Sequence, residues 1–337
     1  MTAIHAYAAT APKSPLQPFE FDPGELGQDQ VEIKVTHCGI CHSDLSMLDN
    51  EWGMSQFPLV PGHEAVGTVL AIGENAKGLK VGQRVGVGWS ASSCLSCREC
   101  LSGHHNLCAE SQGTIVGRHG GFADRLRTQW TWVRPIPDAL DPSKAGPLFC
   151  GGVTVFTPFL AYDISPTARV GILGIGGLGH MALQFANKWG CEVHAFTTND
   201  SKEPEARRLG AHVVHNTKSD GALKKMAGSL DLIISTINVP LDVPGLLETL
   251  APLGRLHVVG AVLEPLSVPA FGMIMGQKSI SGSPVGSPTA IDRMLEFSAR
   301  HLIAPVVEGF PMSKVNDALE HLRAGKARYR IVLNSDF

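Results

Sequence analysis

The sequence predicts an α/β protein of two domains, a β-rich domain with a doubly wound parallel-sheet domain inserted into it. Three observations carry that expectation. The chain has 337 residues, more than one hydrophobic core usually organises. From Val31 to about Val133, short β-prone runs are separated by Gly, Pro and Asn turns. From Arg169 onward strand-like and helix-like runs alternate, the pattern of βαβ units and a parallel sheet.

The first half offers VEIKV, AVGTVLAI, RVGVGW and TWVRPI as strands. The segment DPSKAGPLFCGGVTVFTPFLA then opens a helical register. Next come VGILGI, HMALQFANKWG, CEVHAF, EPEARRLGA, HVVHN, SDGALKKMAG, DLIISTI, PGLLETLAPLG and RLHVVGAV, read as strand and helix in turn, with helices of about ten residues. The last fifty residues (IDRMLEFSARHL, KVNDALEHLRAGKA, YRIVL) no longer repeat that unit and suit a return to the first domain. The expected division is therefore 1–146 with 286–337, around 147–285. No solenoid repeat or low-complexity tract interrupts it.

Composition narrows the function classes. A 44% hydrophobic share with 37 Gly and 22 Pro suits a globular chain rich in strands and turns. A net charge of −3 argues against nucleic acid or an acidic membrane surface as partner. The N-terminal stretch MTAIHAYAATAPKSPLQPF has neither a charged nor an apolar signal region, and no window supplies about 18 consecutive apolar residues. The expectation is a cytoplasmic protein with no membrane span.

Four of the eight cysteines, Cys94, Cys97, Cys100 and Cys108, have the spacing C-x2-C-x2-C-x7-C inside a lobe at residues 90–110. In a reducing compartment such a cluster reads as a metal site before it reads as disulfides. Four thiolates close a tetrahedral Zn²⁺ completely, which makes the site structural. An iron–sulfur cluster also takes four cysteines. His104 and His105 lie in the same loop and read as solvated residues.

Three other segments carry metal-capable side chains: CGICHSD with Cys41, PGHEAVG with His63 and Glu64, and LFCGG with Cys150. Taken singly, a residue such as Cys150 reads as a small buried hydrophobe. Together they form a Cys2His set with a vacant fourth position, the ligand set of catalytic zinc in alcohol dehydrogenases.

The motifs CGICHSDL, PLVPGHEAVGTV, the four-cysteine lobe, GPLFCGG and VGILGIGGLG stand in one order along the chain. That order resembles the zinc-dependent medium-chain alcohol dehydrogenases, and within them the cinnamyl-alcohol-dehydrogenase-like branch with its bacterial NADPH-dependent aldehyde reductases. The resemblance implies a GroES-like β-rich catalytic domain and a Rossmann cofactor domain. It implies Cys41, His63 and Cys150 as catalytic zinc ligands, Glu64 as an alternative ligand, and Asp44 as the group that accepts from His63. It makes Ser43 the proton donor beside the substrate oxygen. One residue departs from the family: Ser46 stands where a relay histidine is common, and a hydroxyl cannot store a proton near pH 7. Water is the alternative outer relay.

The stretch Gly174, Ile175, Gly176, Gly177, Leu178, Gly179 follows the strand VGILG and opens a helix, the context a dinucleotide-binding loop requires. Gly174 makes the turn, Gly176 admits a pyrophosphate, and Gly179 lets helix and strand approach. About twenty residues on, NAD-binding sheets usually place an acid on the ribose hydroxyls. Here stand Thr197, Thr198 and Asn199, with Lys202 close by. Neutral donors and one cation suit the 2′-phosphate of NADP(H). Arg207 and Arg208 read as solvated helix charges. The resemblance further implies Thr154, Thr236, Gly260, Ser283, Pro284 and Val285 beside the cofactor, and Arg330 on its pyrophosphate.

These readings imply a zinc-dependent NADP(H) oxidoreductase that interconverts aldehydes and primary alcohols, working as a reductase, with hydride moving between nicotinamide and a zinc-polarised carbonyl. Two zinc ions per chain are expected, one catalytic and one structural. Trp52 and Trp89 are candidates for an apolar substrate wall or for core. The alternatives are a secondary-alcohol or polyol dehydrogenase of the same fold, and a non-enzymatic NADP-sensing zinc module. The resemblance also implies a homodimer joined through edge strands of the cofactor domains.

Overall fold

The protein is described by a computed structural model, covering residues 3–219 and 221–337. The chain divides into two compact units, Met1–Val153 with Gly286–Phe337, and Thr154–Val285. The first unit thus runs past residue 146. The turns Pro142–Ala145 and Gly146–Phe149 are mostly buried, and Cys150 behind them belongs with donors of the first unit.

The first unit is built on a seven-stranded sheet. Its order is Val307–Pro311, Arg330–Asn334, Gln30–Ile40, Ala65–Ile72, Arg84–Val87 and Arg134–Pro135, with Arg125–Gln129 pairing beside Gln30–Ile40. Val31, Ile33, Val35, Val69, Val85 and Val87, inward-facing residues of the expected strands, fill its core together with Leu126 of Arg125–Gln129, a strand not read from the sequence. Register then determines what meets at the strand ends. Cys38 pairs with Ala65, so the chain leaving Gln30–Ile40 at Cys41 emerges beside His63 and Glu64. Ile331 pairs with Ile40 on the other side, which brings Arg330 to the same end.

The second unit is a six-stranded sheet in which every pairing is parallel. Numbered in chain order, its strands are β1 (Arg169–Leu173), β2 (Glu192–Thr197), β3 (Val213–Asn216), β4 (Leu230–Ser235), β5 (Leu250–Val258) and β6 (Ser279–Gly282). Their spatial order is β3-β2-β1-β4-β5-β6. The direction of winding therefore reverses between β1 and β4, where doubly wound sheets bind their ligands. Val170, Ile172, Val193, Ala195, Leu232, Ile233 and Ile234 are buried, as strands covered on both faces require.

The crossover helix Gly179–Trp189 has about the expected length, with eleven residues, but later crossovers are shorter than the sequence suggests. Glu203–Arg208 has six residues and Val243–Thr249 seven. Within SDGALKKMAG only a 3-10 turn forms, Lys224–Met226; Asp220 lies outside the described residues. Gly221 and Gly228 flank that turn at φ of 66° and 67°, a left-handed backbone that ends a helix. After Thr249 the chain turns extended at once, because Leu250 pairs with Leu230 at the start of β4. Among the described residues no helix is long and apolar enough to cross a membrane.

Candidate active site

Cys41 caps the N-terminus of the helix His42–Leu48, and Asp44 sits in that helix's first turn. The buried carboxylate of Asp44 accepts three hydrogen bonds. Cys41 N–H donates to Oδ2 at 2.9 Å, Gly62 N–H to Oδ1 at 2.9 Å, and His63 Nδ1 lies 3.0 Å from Oδ1. One side chain thereby fixes the two loops that carry Cys41 and His63. With Nδ1–H donating to Asp44, Nε2 keeps its lone pair for a metal. Burial pushes the His63 imidazole down, but Asp44 first, and Cys41 with it, hold the ring well above its ordinary value, so a metal taking the Nε2 lone pair displaces a proton there.

The donor atoms of Cys41, His63, Glu64 and Cys150 all lie within 4.8 Å of one another, and all four residues are buried. Cys41 Sγ is 4.0 Å from Cys150 Sγ, and His63 Nε2 is 3.3 Å from Cys150 Sγ. The two sulfurs stand within reach of one S–H···S hydrogen bond. The hydrogen bond from Cys150 holds Cys41 low, and the same bond holds Cys150 high. Glu64 Oε1 pairs with the Arg330 guanidinium, while Glu64 Oε2 is buried with no partner. A Cβ on Gly39 would stand 2.0 Å from that oxygen, so only glycine leaves room for it. Two soft sulfurs, an imidazole with a free lone pair and an orphaned carboxylate oxygen fit a cation.

Around this cluster Ser43 Oγ lies 3.7 Å from Cys41 Sγ. Trp89 packs edge-on against the His63 ring at 5.1 Å, and Trp52 against Trp89 at 5.9 Å. Ser46, at the departed relay position, donates from Oγ to the exposed Glu51 carboxylate at 2.7 Å. Glu51 was not singled out from the sequence; only its spacing after Ser46 could have pointed to it.

The four-cysteine lobe also closes on itself. Cys94 Sγ lies 3.5 Å from Cys108 Sγ and 3.9 Å from Cys100 Sγ. Sulfurs held tetrahedrally about 2.3 Å from one ion stand roughly 3.8 Å apart, so the spacing fits a single ion. Backbone N–H groups of Cys97 and Cys100 donate to Cys94 Sγ and Cys97 Sγ. Backbone donors of Ser96 and Cys97 bring the Cys94 thiol down to about 6, while burial sends Cys100 up to about 12. His104 is exposed as expected. His105 corrects the reading of solvated loop residues. It is half-buried edge-on to Trp132 at 6.4 Å, because the short turn His105–Leu107 folds it inward.

In the second unit the glycine loop separates into two kinds of glycine. A Cβ on Gly174 would meet Ile237 at 2.5 Å, and one on Gly179 would meet the Gly174 carbonyl at 1.8 Å. These two are required by the chain's own packing. A Cβ on Gly176 would meet nothing within 4 Å, so the open space there is not filled by the protein. That is the cradle a pyrophosphate needs at the start of the helix Gly179–Trp189. Ile175, Gly177 and Leu178 complete the loop, and Thr236 Oγ1 donates to the carbonyls of Leu173 and Gly174, tying β4 to it. Gly260 lies against the Ile237 carbonyl, where a Cβ would stand at 1.9 Å.

At the end of β2, Thr197 is buried, and its hydroxyl accepts from Asn199 N–H at 3.2 Å. Asn199 Oδ1 in turn accepts from Ser201 N–H, and Thr198 is exposed. Lys202 Nζ donates to the Ile175 carbonyl at 3.4 Å, so the cation folds back over the glycine loop. Arg207 and Arg208 pair with Glu203 and Glu205 on the helix surface, as read from the sequence. Thr154 is buried in this unit, and Ser283, Pro284 and Val285 follow β6. Arg330, assigned by resemblance to a pyrophosphate, lies buried among the metal-capable donors and pairs with Glu64.

Residues 27–138 match the alcohol dehydrogenase GroES-like domain, and residues 177–300 match the zinc-binding dehydrogenase family. An aldehyde reductase of Synechocystis sp. is 53% identical over 331 residues, covering 98% of each chain. The chain belongs to the zinc-binding medium-chain alcohol dehydrogenase family. Within that family it is 38% identical to cinnamyl alcohol dehydrogenase 7 of Arabidopsis thaliana, over 95% of this chain and 92% of the relative. A solved cinnamyl alcohol dehydrogenase of Sorghum bicolor superposes with a TM-score of 0.93 at 37% identity, covering 99% of this chain and 98% of that one. The CAD protein of Helicobacter pylori, solved in complex with NADP(H), gives 0.90 at 28% identity, over 99% of this chain and 98% of that one. The GroES-like plus Rossmann architecture expected from the sequence is the architecture of this family.

Proposed function

We propose that the protein is a zinc-dependent, NADP(H)-dependent oxidoreductase that reduces aldehydes to primary alcohols. The observation that carries this reading is the convergence of Cys41, His63 and Cys150 in front of the Asp44 carboxylate, in a chain that also carries a glycine cradle. Bound at these sites, zinc supplies Lewis acidity toward a carbonyl oxygen and NADPH supplies the hydride.

The chain's own residues do the rest. Cys41, His63 and Cys150 hold the catalytic ion, with Glu64 Oε2 as an exchangeable fourth donor, and Asp44 keeps the His63 tautomer. Cys94, Cys97, Cys100 and Cys108 hold the structural ion. The Ser43 hydroxyl, next to Cys41, gives the proton that the product oxygen takes. The Ser46–Glu51 pair offers a carboxylate, in place of a relay histidine, for proton exchange with solvent. Trp89 and Trp52 form an apolar wall beside His63 that disfavours water. Thr198, Asn199 and Lys202 receive the 2′-phosphate, which the absence of an acid at Thr197 permits. The complex of the Helicobacter pylori relative with NADP(H) supports that choice.

A homodimer fits the same reading. Among the described residues β6 ends the sheet with an unpaired edge, and the preceding helix Ala270–Gly276 exposes Phe271, Ile274 and Met275. The work is expected to be cytoplasmic. Zinc analysis together with steady-state rates on a panel of aldehydes and alcohols, each with NADPH and NADH, tests the whole reading. Two zinc ions per chain and a preference for NADPH with primary aldehydes are expected; one zinc, or no turnover with any of them, overturns it.

A further inference from the structure

His257 lies near the end of β5, and its pairing with Ser281 on β6 sets both side chains on one face of the sheet. The imidazole is fully buried. Its Nδ1 lies 2.9 Å from Ser281 Oγ and its Nε2 3.0 Å from Ser283 Oγ. Tyr162 stands edge-on to the ring at 5.5 Å, and Arg255 places its guanidinium 3.9 Å from the Tyr162 centroid. Burial first, and Arg255 second, push the imidazole down to about 4. A neutral imidazole has one N–H and one lone pair. One serine therefore donates to the ring while the other accepts from it, and the two hydroxyls are fixed together.

Ser283 begins a segment with a second unusual feature. Val285, two residues on, has φ of 32°, a conformation rarely adopted by a β-branched residue. Its carbonyl accepts from Thr157 Oγ1 at 3.0 Å. The segment Ser283–Val285 is thus pinned at one end by His257 and at the other by Thr157. It leaves the carboxyl end of β6, in the β4-β5-β6 half of the sheet. Thr197 and Lys202 belong to the β1-β2-β3 half, which in this strand order takes the adenosine end of a dinucleotide. The β4-β5-β6 half takes the nicotinamide end.

We propose that His257 is a positioning residue that, through Ser283, holds the Ser283–Val285 segment against the nicotinamide half of the cofactor; this rests on the NADP(H) reading. Neither His257 nor Ser281 stood out in the sequence, because a lone histidine in a strand reads as core.

A pair of amide substitutions separates the two ring contacts. Asn places an amide where Nδ1 stands and Gln where Nε2 stands, so His257→Gln keeps a partner for Ser283 and His257→Asn does not. Dissociation constants are measured by calorimetry for NADPH and for adenosine 2′,5′-bisphosphate, which carries the 2′-phosphate but no nicotinamide. His257→Asn and Ser283→Ala are expected to weaken NADPH about three- to tenfold and to leave the bisphosphate within twofold. His257→Gln is expected to stay within twofold of wild type for both, and the double variant His257→Asn/Ser283→Ala to be no worse than either single one. If wild type binds NADPH and either substitution at His257 weakens both ligands equally, or Ser283→Ala weakens neither, the positioning role is overturned and the cofactor reading stands. If wild type binds neither ligand, the cofactor reading falls and the proposal with it. Ser283→Ala removes only a hydroxyl, so the test survives a failure of the histidine variants to fold.

Discussion

Asp44 and His63 face each other across 3.0 Å with both side chains fully shielded from solvent. The carboxylate also receives the N–H groups of Cys41 and Gly62, so it organises the cluster without belonging to it. Replacing Asp44 with Asn keeps the shape but lets the amide present N–H where acceptors are needed. Asp44→Asn is expected to lower catalytic efficiency about 10- to 100-fold and to weaken one zinc site while leaving the other filled. Zinc content after dialysis against a mild chelator reads the second effect; loss of both ions, or of neither, contradicts it.

The two proposed metal sites should fail differently. Cys41→Ala removes a ligand from an open site and is expected to abolish turnover in a chain that stays folded and binds NADPH. Cys97→Ala opens a closed site whose metal contributes folding energy, so soluble yield or melting temperature should fall. Circular dichroism melts and NADPH fluorescence on both variants check this. Near-normal turnover by Cys41→Ala would falsify the catalytic assignment.

Cofactor choice should respond to charge at the end of β2. Asp at position 197 can still accept from Asn199 N–H, so the turn survives, but its charge faces the 2′-phosphate. Thr197→Asp is expected to shift preference from NADPH toward NADH by roughly 1–3 kcal/mol, on the order of ten- to a hundredfold. Lys202→Ala should weaken NADPH without helping NADH, since it removes attraction and adds nothing for the ribose. The ratio of catalytic efficiencies with the two cofactors is the measurement. A wild type that already prefers NADH sinks the assignment whatever the variants do.

Stability should fall on mild acidification. Burial lowers His257 to about 4, and lowers His194 and His215 as well. Between the unfolded value near 6.5 and these folded values, the unfolded chain binds protons that the folded chain refuses. Stability is therefore complete above about pH 6.5 and declines as pH drops toward 4. His257 accounts for about 1–3 kcal/mol of that decline. Urea unfolding of the metal-loaded protein at pH 7.5, 6 and 5, repeated on His257→Gln, should show a shallower slope in the variant. Equal slopes would place the acid sensitivity elsewhere.

Much of the candidate site was legible because its parts are local. The lobe cysteines sit within fifteen residues, and their spacing brings four sulfurs together without help from the rest of the fold. The glycine loop declares itself by standing between a strand and a helix. By spacing alone, however, CGIC does not distinguish Cys38 from Cys41. The resemblance chose Cys41; the structure buries Cys38 in the hydrophobic core and leaves Cys41 at a helix cap beside His63.

The sequence by itself carried the parallel sheet, the glycine loop and the four-cysteine set, since periodicity and short spacings hold all three; the set of Cys41, His63 and Cys150, spread over more than a hundred positions, rested on the resemblance. Only the tertiary structure decided that Arg330 meets Glu64 across 266 positions of chain, that His257 meets Ser283, and that Ser46 leans on Glu51. It also shortened the crossover helices, where Gly221, Gly228 and the pairing of Leu250 with Leu230 override helical patterning. The physical reason is strand register. Hydrophobic alternation states which face of a strand is buried but not which residue stands opposite, and a slip of one residue would separate Arg330 from Glu64 and His257 from its serines; the Ser46–Glu51 contact depends instead on how the chain turns after the helix His42–Leu48.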